Sequence, residues 1–416
     1  MRKTPEGWKW VTLEQSSSAT RLGGNYECSD VNRGLPVIKM GNLGRGRIQM
    51  GRIERLPETS DYSVEDVLKY GDILFNTRNT LDLVGKVAMW RDELPHAVFN
   101  SNILRIDFDE RTGFKHGFAN LVLNSRGVIR QLRAIATGTT SVAAIYWRDA
   151  RHLHLLRPPL GEQEEITKVI AAWDSAMDIL EDLVTAKELR KRGLMQQLLT
   201  GRRRFKEFVR SGQMVRTRYG RFPMDWAAAY IGDLAEEAVE KNDGGHALPV
   251  LSCTKHRGLV NSLEYFGKRI FSADTSTYRV VRRGDFAYAT NHIEEGSIGY
   301  QNLHDAALIS PMYTVFRTRA GVDHSFFFKL VKTELYRHIF EVNTSGSIAR
   351  RGGLRWDEFA MIKVFLPSVP EQQRIATVLE ACDREIELLQ KQLDALKEQK
   401  RGLMQKLLTG EVRVKV

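Results

Sequence analysis

EQEEITKVIAAWDSAMDILEDLVTAKELRKRGLMQQLLTG runs from Glu162 to Gly201, and EQQRIATVLEACDREIELLQKQLDALKEQKRGLMQKLLTG runs from Glu371 to Gly410. The two stretches align without insertion at a constant offset of 209 (371 − 162 and 410 − 201), with 18 of 40 positions identical. Identity is densest at the close, where Lys191-Arg192-Gly193-Leu194-Met195-Gln196 and Leu198-Leu199-Thr200-Gly201 return as Lys400-Arg401-Gly402-Leu403-Met404-Gln405 and Leu407-Leu408-Thr409-Gly410. A repeat with a period of half the chain predicts two structural units. What lies between the copies is much less alike. The chain therefore reads as two different globular modules, each followed by the same helix.

The helix is legible from its spacing. Ile375, Leu379, Cys382, Ile386, Leu389, Leu393, Leu396, Leu403 and Leu407 alternate steps of four and three, which is an a/d heptad seam. Ile166, Ile170, Trp173, Met177, Leu180, Val184, Leu194 and Leu198 repeat that seam in register. Lys191 and Lys400 fall at equivalent seam positions, and Lys187 stands where the second copy has Leu396. Such a lysine either fixes register at a cost in stability or packs its stem while its ammonium reaches water. Pro158-Pro159 and Pro367 with Pro370 mark the starts, and Thr-Gly at Gly201 and Gly410 marks the stops. About 34 residues at 1.5 Å each give a rod of roughly 50 Å. One such helix alone would expose its stripe, so the two should pair with each other.

The modules look like mixed folds of short strands and helices. Each opens alike, Pro5-Glu6-Gly7-Trp8 then Val11-Thr12-Leu13, and Pro223-Met224-Asp225-Trp226 then Tyr230-Ile231. Midway come Gly71-Asp72-Ile73-Leu74-Phe75 and Gly284-Asp285-Phe286-Ala287-Tyr288, a turn dipeptide followed by a strand pattern. Each closes on a tryptophan, Trp147-Arg148-Asp149 and Trp356-Asp357-Glu358. These shared residues are read as core and turn positions that build the module; those that differ should distinguish ligands. The expected boundaries are residues 1–157 and 205–366 for the modules, 158–204 and 367–410 for the helices, and 411–416 for a tail.

Composition agrees. A chain of 416 residues is too long for one core and suits two domains with connectors. Lys plus Arg of 62 against Asp plus Glu of 51 gives a net charge of +11, a balance that favours a polyanionic partner. Cys28, Cys253 and Cys382 lie far apart, so neither a disulfide framework nor a zinc site is indicated. No apolar leader and no run near 18 apolar residues occurs, which points to a soluble cytoplasmic protein without a membrane partner.

Candidate ligand surfaces are the polar, glycine-rich loops, three per module. In the first they are Gly41 to Arg47, Asn76 to Thr80 and Thr137 to Ser141; in the second, Thr254 to Gly258, Thr290 to His292, and Asn343 to Ser347 followed by Arg350-Arg351. Glycine lets a backbone approach closely, hydroxyls and amides bond phosphate oxygens, and Arg or Asn can read base edges with two hydrogen bonds. The first module's candidate DNA contacts are Lys39, Asn42, Arg45, Arg47, Asn76, Arg78, Asn79, Thr139, Thr140 and Ser141. Those of the second are Lys255, His256, Arg257, Asn291, His292, Ser345, Ser347, Arg350 and Arg351. Each loop alone is equally well read as an ordinary turn.

No catalytic signature is present: no Walker A loop, no His-Glu-x-x-His, no metal-ligand spacing, and no Asn-Pro-Pro-aromatic tetrapeptide of amino-methyltransferases. Gly44-Arg45-Gly46 lacks the third glycine of a dinucleotide loop. Two variable modules, each ending in a helix that opens Glu-Gln after proline and closes Gly-Leu-Met-Gln-x-Leu-Leu-Thr-Gly, resemble the specificity subunit of type I restriction–modification systems (HsdS). The resemblance spans Pro158 to Gly201, Pro367 to Gly410 and the Pro-Glu-Gly-Trp and Gly-Asp-Ile-Leu-Phe runs, covering essentially the whole chain. One departure is Gly161 where the second copy has Pro370, which could loosen the first helix start.

The resemblance implies an α+β fold of two target-recognition domains separated by two long helices in an antiparallel intramolecular coiled coil. It implies double-stranded DNA as ligand, each domain reading half of a split site, with no cofactor, metal or catalytic residue of its own. The partners it implies are two modification (methyltransferase) subunits and the ATP-dependent restriction subunits. Two copies of one subunit need two copies of one surface, so Arg192, Met195, Gln196 and their counterparts Arg401, Met404 and Gln405 are the candidate docking residues. A rod of roughly 50 Å suits half-sites about one duplex turn apart. The rival reading is a coiled-coil scaffold carrying two protein-binding modules; a second rival is a free-standing enzyme with an unrecognised site.

Overall fold

The structure, a computed structural model, describes residues 4–28, 33–139, 141–243, 245–345 and 353–415. The chain forms two compact units, Met1–Glu181 with Lys391–Val416, and Asp182–Gln390. The division cuts both long helices, Leu160–Leu198 and Val369–Thr409. Each unit therefore holds one module, the start of the helix that follows it, and the end of the other helix.

In the first unit Lys9–Thr12 pairs antiparallel with His154–Arg157, joining the module's opening to the strand before the helix. The central sheet is antiparallel, in the order Ala19–Leu22, Ile103–Asp107, Ile73–Asn76, Val87–Met89. A second sheet holds Glu54–Leu56, Leu35–Ile38 and Val98–Phe99. Helices His116–Leu123 and Arg126–Ile135 complete the module. The second unit repeats the plan: Ala227–Tyr230 with Lys363–Leu366, and a sheet in the order Ala235–Glu237, Tyr313–Thr318, Phe286–Ala289, Ile298–Tyr300. Its helices are His324–Val331 and Glu334–Ser345.

The shared residues are structural. Gly71 and Gly284 have φ of 94° and 90°, a left-handed turn that glycine accepts without strain. Asp72 and Asp285 close those turns by accepting the backbone N–H of Lys69 and Arg282, each at 2.9 Å. Trp147 and Trp356 pack against the cores of their own modules.

Every position of the predicted seam is buried or half-buried, including Lys187, Lys191 and Lys400. Within the first unit Lys400 reaches Asp174 at 2.6 Å and Lys397 reaches Glu181 at 2.8 Å; within the second, Lys191 pairs with Asp383 and Lys187 with Glu385. Partner numbers fall as helix numbers rise, so the long helices form an antiparallel coiled coil. The seam lysines are thus neither free in water nor merely packed. Asp174 also holds Arg47, and Asp383 also holds Lys329, so each aspartate ties the opposite helix to its own module. Gly161 loosens nothing: the helices begin at Leu160 and Val369, equivalent positions under the 209 offset.

Each helix end is seated by a clamp. Gly410 and Gly201 both have φ of 68°. A methyl group on Gly410 would meet Pro5 at 2.4 Å, and one on Gly201 would meet Pro223 at 2.3 Å, so only glycine fits. Arg413 Nε donates to Glu162 at 2.8 Å in the first unit, and Arg204 Nε to Glu371 at 2.8 Å in the second. Gln163 accepts from the Lys115 N–H and donates to the Gly113 and Pro158 carbonyls; Gln372 does the same with Asp323, Gly321 and Pro367. The Glu-Gln pair is conserved between repeats because glutamate fixes the incoming helix end while glutamine fixes its own module. Leu407 and Leu408 complete the first core, and Leu198 and Leu199 the second.

Candidate nucleic-acid interface

The first module brings two of its three predicted loops together. Arg78–Asn79 pairs with Ala143–Ala144, which pairs in turn with Thr137–Gly138. Gly138 sits at φ 122°, where an added Cβ would lie 2.3 Å from the Val142 carbonyl oxygen. Thr139 and Ser141 hydroxyls lie 3.1 Å apart, and Thr139 accepts from the Val142 N–H, so they shape the turn at the exposed tip. Thr140 lies outside the described residues. Arg78 is exposed and makes no ion pair among the described residues. Asn76 is fully buried beneath it and accepts from the Arg78 N–H at 3.2 Å, so it positions the strand rather than meeting a ligand. Asn79 accepts from the Thr80 N–H at 2.8 Å.

The third loop is largely engaged elsewhere. Asn42 is buried; it accepts from Lys39 N–H at 3.0 Å and donates to the Gln49 and Arg52 carbonyls, building the turn from within. Lys39 pairs with Glu54. Arg47 lies on the long helix with Asp174 at 2.7 Å and with Asp178, so its charge is spent on docking the module. Arg45 is exposed and makes no ion pair among the described residues.

The second module also joins two loops. Lys255 pairs with Glu295, and His292 Nδ1 lies 3.5 Å from the same carboxylate. Beneath them the Lys332 ammonium donates to the carbonyls of Thr254, Lys255 and Gly296 at 3.5, 2.8 and 2.5 Å. Arg337 Nε donates to the Glu294 carbonyl at 3.1 Å. Burial pushes Lys332 down to about 8, while Lys255 holds the Glu295 carboxyl below its usual value. The two loops are thus fastened from below by cations that sequence reading did not single out; Lys332 caps the end of the helix His324–Val331 and Arg337 lies in the following helix Glu334–Ser345. Arg257 lies over the Tyr265 ring, 5.8 Å from its centre. His256 is exposed.

Asn291 accepts from the Thr290 hydroxyl at 3.3 Å and stands between a cleft of about 430 Å³ containing Arg279 and Arg355 and another of about 260 Å³ containing His292 and Tyr313. Ser345 is the last residue of its helix; Ser347, Arg350 and Arg351 lie outside the described residues. His292, Glu294 and Glu295 bring metal-ligand atoms within 4.8 Å of one another, but Lys255 already occupies Glu295.

The docking candidates divide by burial. Arg192, Gln196, Arg401 and Gln405 are exposed, whereas Met195 and Met404 pack against the cores of their units and are repeated because the fold needs them. Gln405 accepts from Arg126 at 3.2 Å. Among the described residues no helix is long and apolar enough to cross a membrane.

Residues 231–398 match the family described as the type I restriction modification DNA specificity domain. Two relatives from Methanocaldococcus jannaschii are named as type I restriction enzyme specificity subunits. The one designated MjaX is 23% identical over 99% of this chain and 95% of its own. The other, MjaVIII, is 26% identical over 62% of each chain. Two solved structures share the fold. A chain from a type I restriction–modification system studied for complex assembly aligns with TM-score 0.55 and 17% identity over 99% of this chain and 100% of its own. The S subunit from M. genitalium aligns with TM-score 0.56 and 14% identity over 98% and 97%. Residues 231–398 thus match a type I restriction modification DNA specificity domain, and along nearly its whole length the chain is similar in sequence to a named type I specificity subunit.

Proposed function

We propose that each module reads one half of a split duplex site and that the coiled coil carries the surfaces on which two modification subunits dock, restriction subunits joining for cleavage. Methyl transfer, ATP hydrolysis and cutting then belong to those partners. One observation carries the reading: the repeated residues hold the frame, while the unlike residues converge on an exposed, cation-bearing loop pair in each module. In the first module Arg78 stands over the Thr137–Ser141 turn; in the second Lys255, His256, Arg257, Asn291 and His292 share one fastened loop pair. The exposed helix residues Arg192, Gln196, Arg401 and Gln405 are the docking candidates that burial leaves available. Methylome sequencing of the host with and without this gene tests the proposal. A bipartite methylated motif should vanish with the gene, and duplex binding in a gel-shift assay should require the modification subunit. Loss of no motif, with tight binding to other proteins, would favour the scaffold reading.

A further inference from the structure

Helix Arg126–Ile135 has the sequence RGVIRQLRAI, with three arginines and no acid. Arg126, Arg130 and Arg133 stand at steps of four and three, on one exposed face, while Val128 and Leu132 are buried on the other. The structurally equivalent helix of the second module is Glu334–Ser345, and Ser125 and Thr333 hold equivalent places before the two helices. At that offset of 208 (333 − 125), Arg126, Arg130 and Arg133 correspond to Glu334, His338 and Glu341. The face that is wholly cationic in one module is acidic in the other, where Glu334 pairs with Arg337 and Glu341 with His338.

Among the described residues no carboxylate pairs with these arginines. Arg126 donates to Gln405, a neutral side chain, and Arg130 and Arg133 make no ion pair among the described residues. The helix dipole favours a cation in the last turn, which accounts for Arg133. It disfavours Arg126 in the first turn, so it does not account for the stripe. The helix also leads through Ala136 directly into Thr137–Gly138, the outer strand of the sheet that carries Arg78.

We infer that Arg126, Arg130 and Arg133 form a phosphate-binding stripe that tracks the backbone of the duplex on the first module alone. This rests on the reading of the modules as DNA-binding and adds an asymmetry to it. The first module holds the duplex electrostatically and dominates non-specific capture. The second, with an acidic face at the equivalent helix, depends on its loops. Phosphate is favoured over the acidic face of a protein because the stripe leads directly into the recognition sheet.

The test uses the chain assembled with its modification subunits and two duplexes, one of mixed sequence and one carrying the methylome-mapped site, titrated over a range of salt. Each phosphate contact contributes about 0.9 to the slope of log K against log salt. Replacing both Arg130→Gln and Arg133→Gln should flatten the slope by roughly 1–2 on both duplexes and leave half-site preference unchanged. The reciprocal variant, His338→Arg with Glu341→Arg, should steepen it. An unchanged slope in the first variant overturns the stripe even though wild type binds its site. A wild-type assembly that binds neither duplex overturns the DNA reading itself. Loss of assembly with an unchanged slope in the remaining complex would make the stripe a protein surface, and altered half-site preference would make its arginines base readers; either defeats the assignment to phosphates.

Discussion

Lys332 and Arg78 show how single side chains serve the two loop clusters in opposite ways. Lys332 is buried against three carbonyls and has a pH signature. An unfolded lysine titrates near 10.4, so between about pH 8 and 10.4 the unfolded state binds a proton that the folded state has released. Stability should therefore rise with pH through that window. In urea titrations from pH 7 to 10, wild type should gain roughly 1–3 kcal/mol relative to Lys332→Met. Parallel curves would show that the ammonium does not titrate there. Arg78, by contrast, is exposed and held only through its backbone. Its replacement by alanine should cost about 1–3 kcal/mol of site binding with relaxed preference at one base, or weaken all sequences alike if it meets a phosphate. No effect on either would make it structural. The same contrast explains what sequence reading could not separate. Asn42, Asn76 and Arg78 all sit in polar, glycine-containing loops, and an amide that closes a turn has the same hydrogen-bonding groups as one that meets a ligand. Only the third dimension says which face of the loop points inward.

At the scale of elements, the heptad seam was fully legible because a 3.5-residue period leaves a mark on composition whatever the partner is. Its lysines were legible as positions but not in their roles, since their acidic partners lie some two hundred residues away in sequence. The Gly-Asp turns and closing tryptophans were legible through repetition. The Glu-Gln clamp repeats equally well and was missed, because its arginines stand just beyond the quoted stretches. The seam aspartates have a measurable consequence. Burial would raise the Asp383 carboxyl, but Lys191 and Lys329 outweigh it and hold it below the ordinary carboxylate value. A depressed carboxylate contributes stability above its unfolded pKa of about 3.9 and loses it as pH falls further. Asp383→Asn should thus lower stability at neutral pH by about 1 kcal/mol or less, given its partial exposure. The gap from wild type should close as the pH drops below about 4, and thermal melts at pH 7 and at pH 3 would show it. A gap that persists in acid would mean the carboxylate charge is not what matters.

For the whole molecule, the repeat makes the modules separable in principle. Exchanging residues 1–157 for the corresponding module of a relative should change one half of the methylated motif and leave the other half and the gap intact. A simultaneous change in both halves would show that the modules do not read independently.

The clamps carry a different consequence, about neighbourhood and distance. Arg413 stands far from Glu162 along the polypeptide yet belongs to the same unit, while Arg204, near the midpoint, seats the second unit on Glu371. Followed through its interactions rather than its peptide bonds, the chain is a ring: each module hands its helix to the other and receives one back. Damage should obey that ring. Arg204 and Glu371 are both nearly excluded from solvent, so Arg204→Ala should cost about 3–5 kcal/mol and loosen residues 182–390 in hydrogen exchange. Arg413 is more open, so Arg413→Ala should cost less than Arg204→Ala. Its exchange should quicken around Trp8, at the opposite extreme of the sequence, before it quickens anywhere in the module that precedes it.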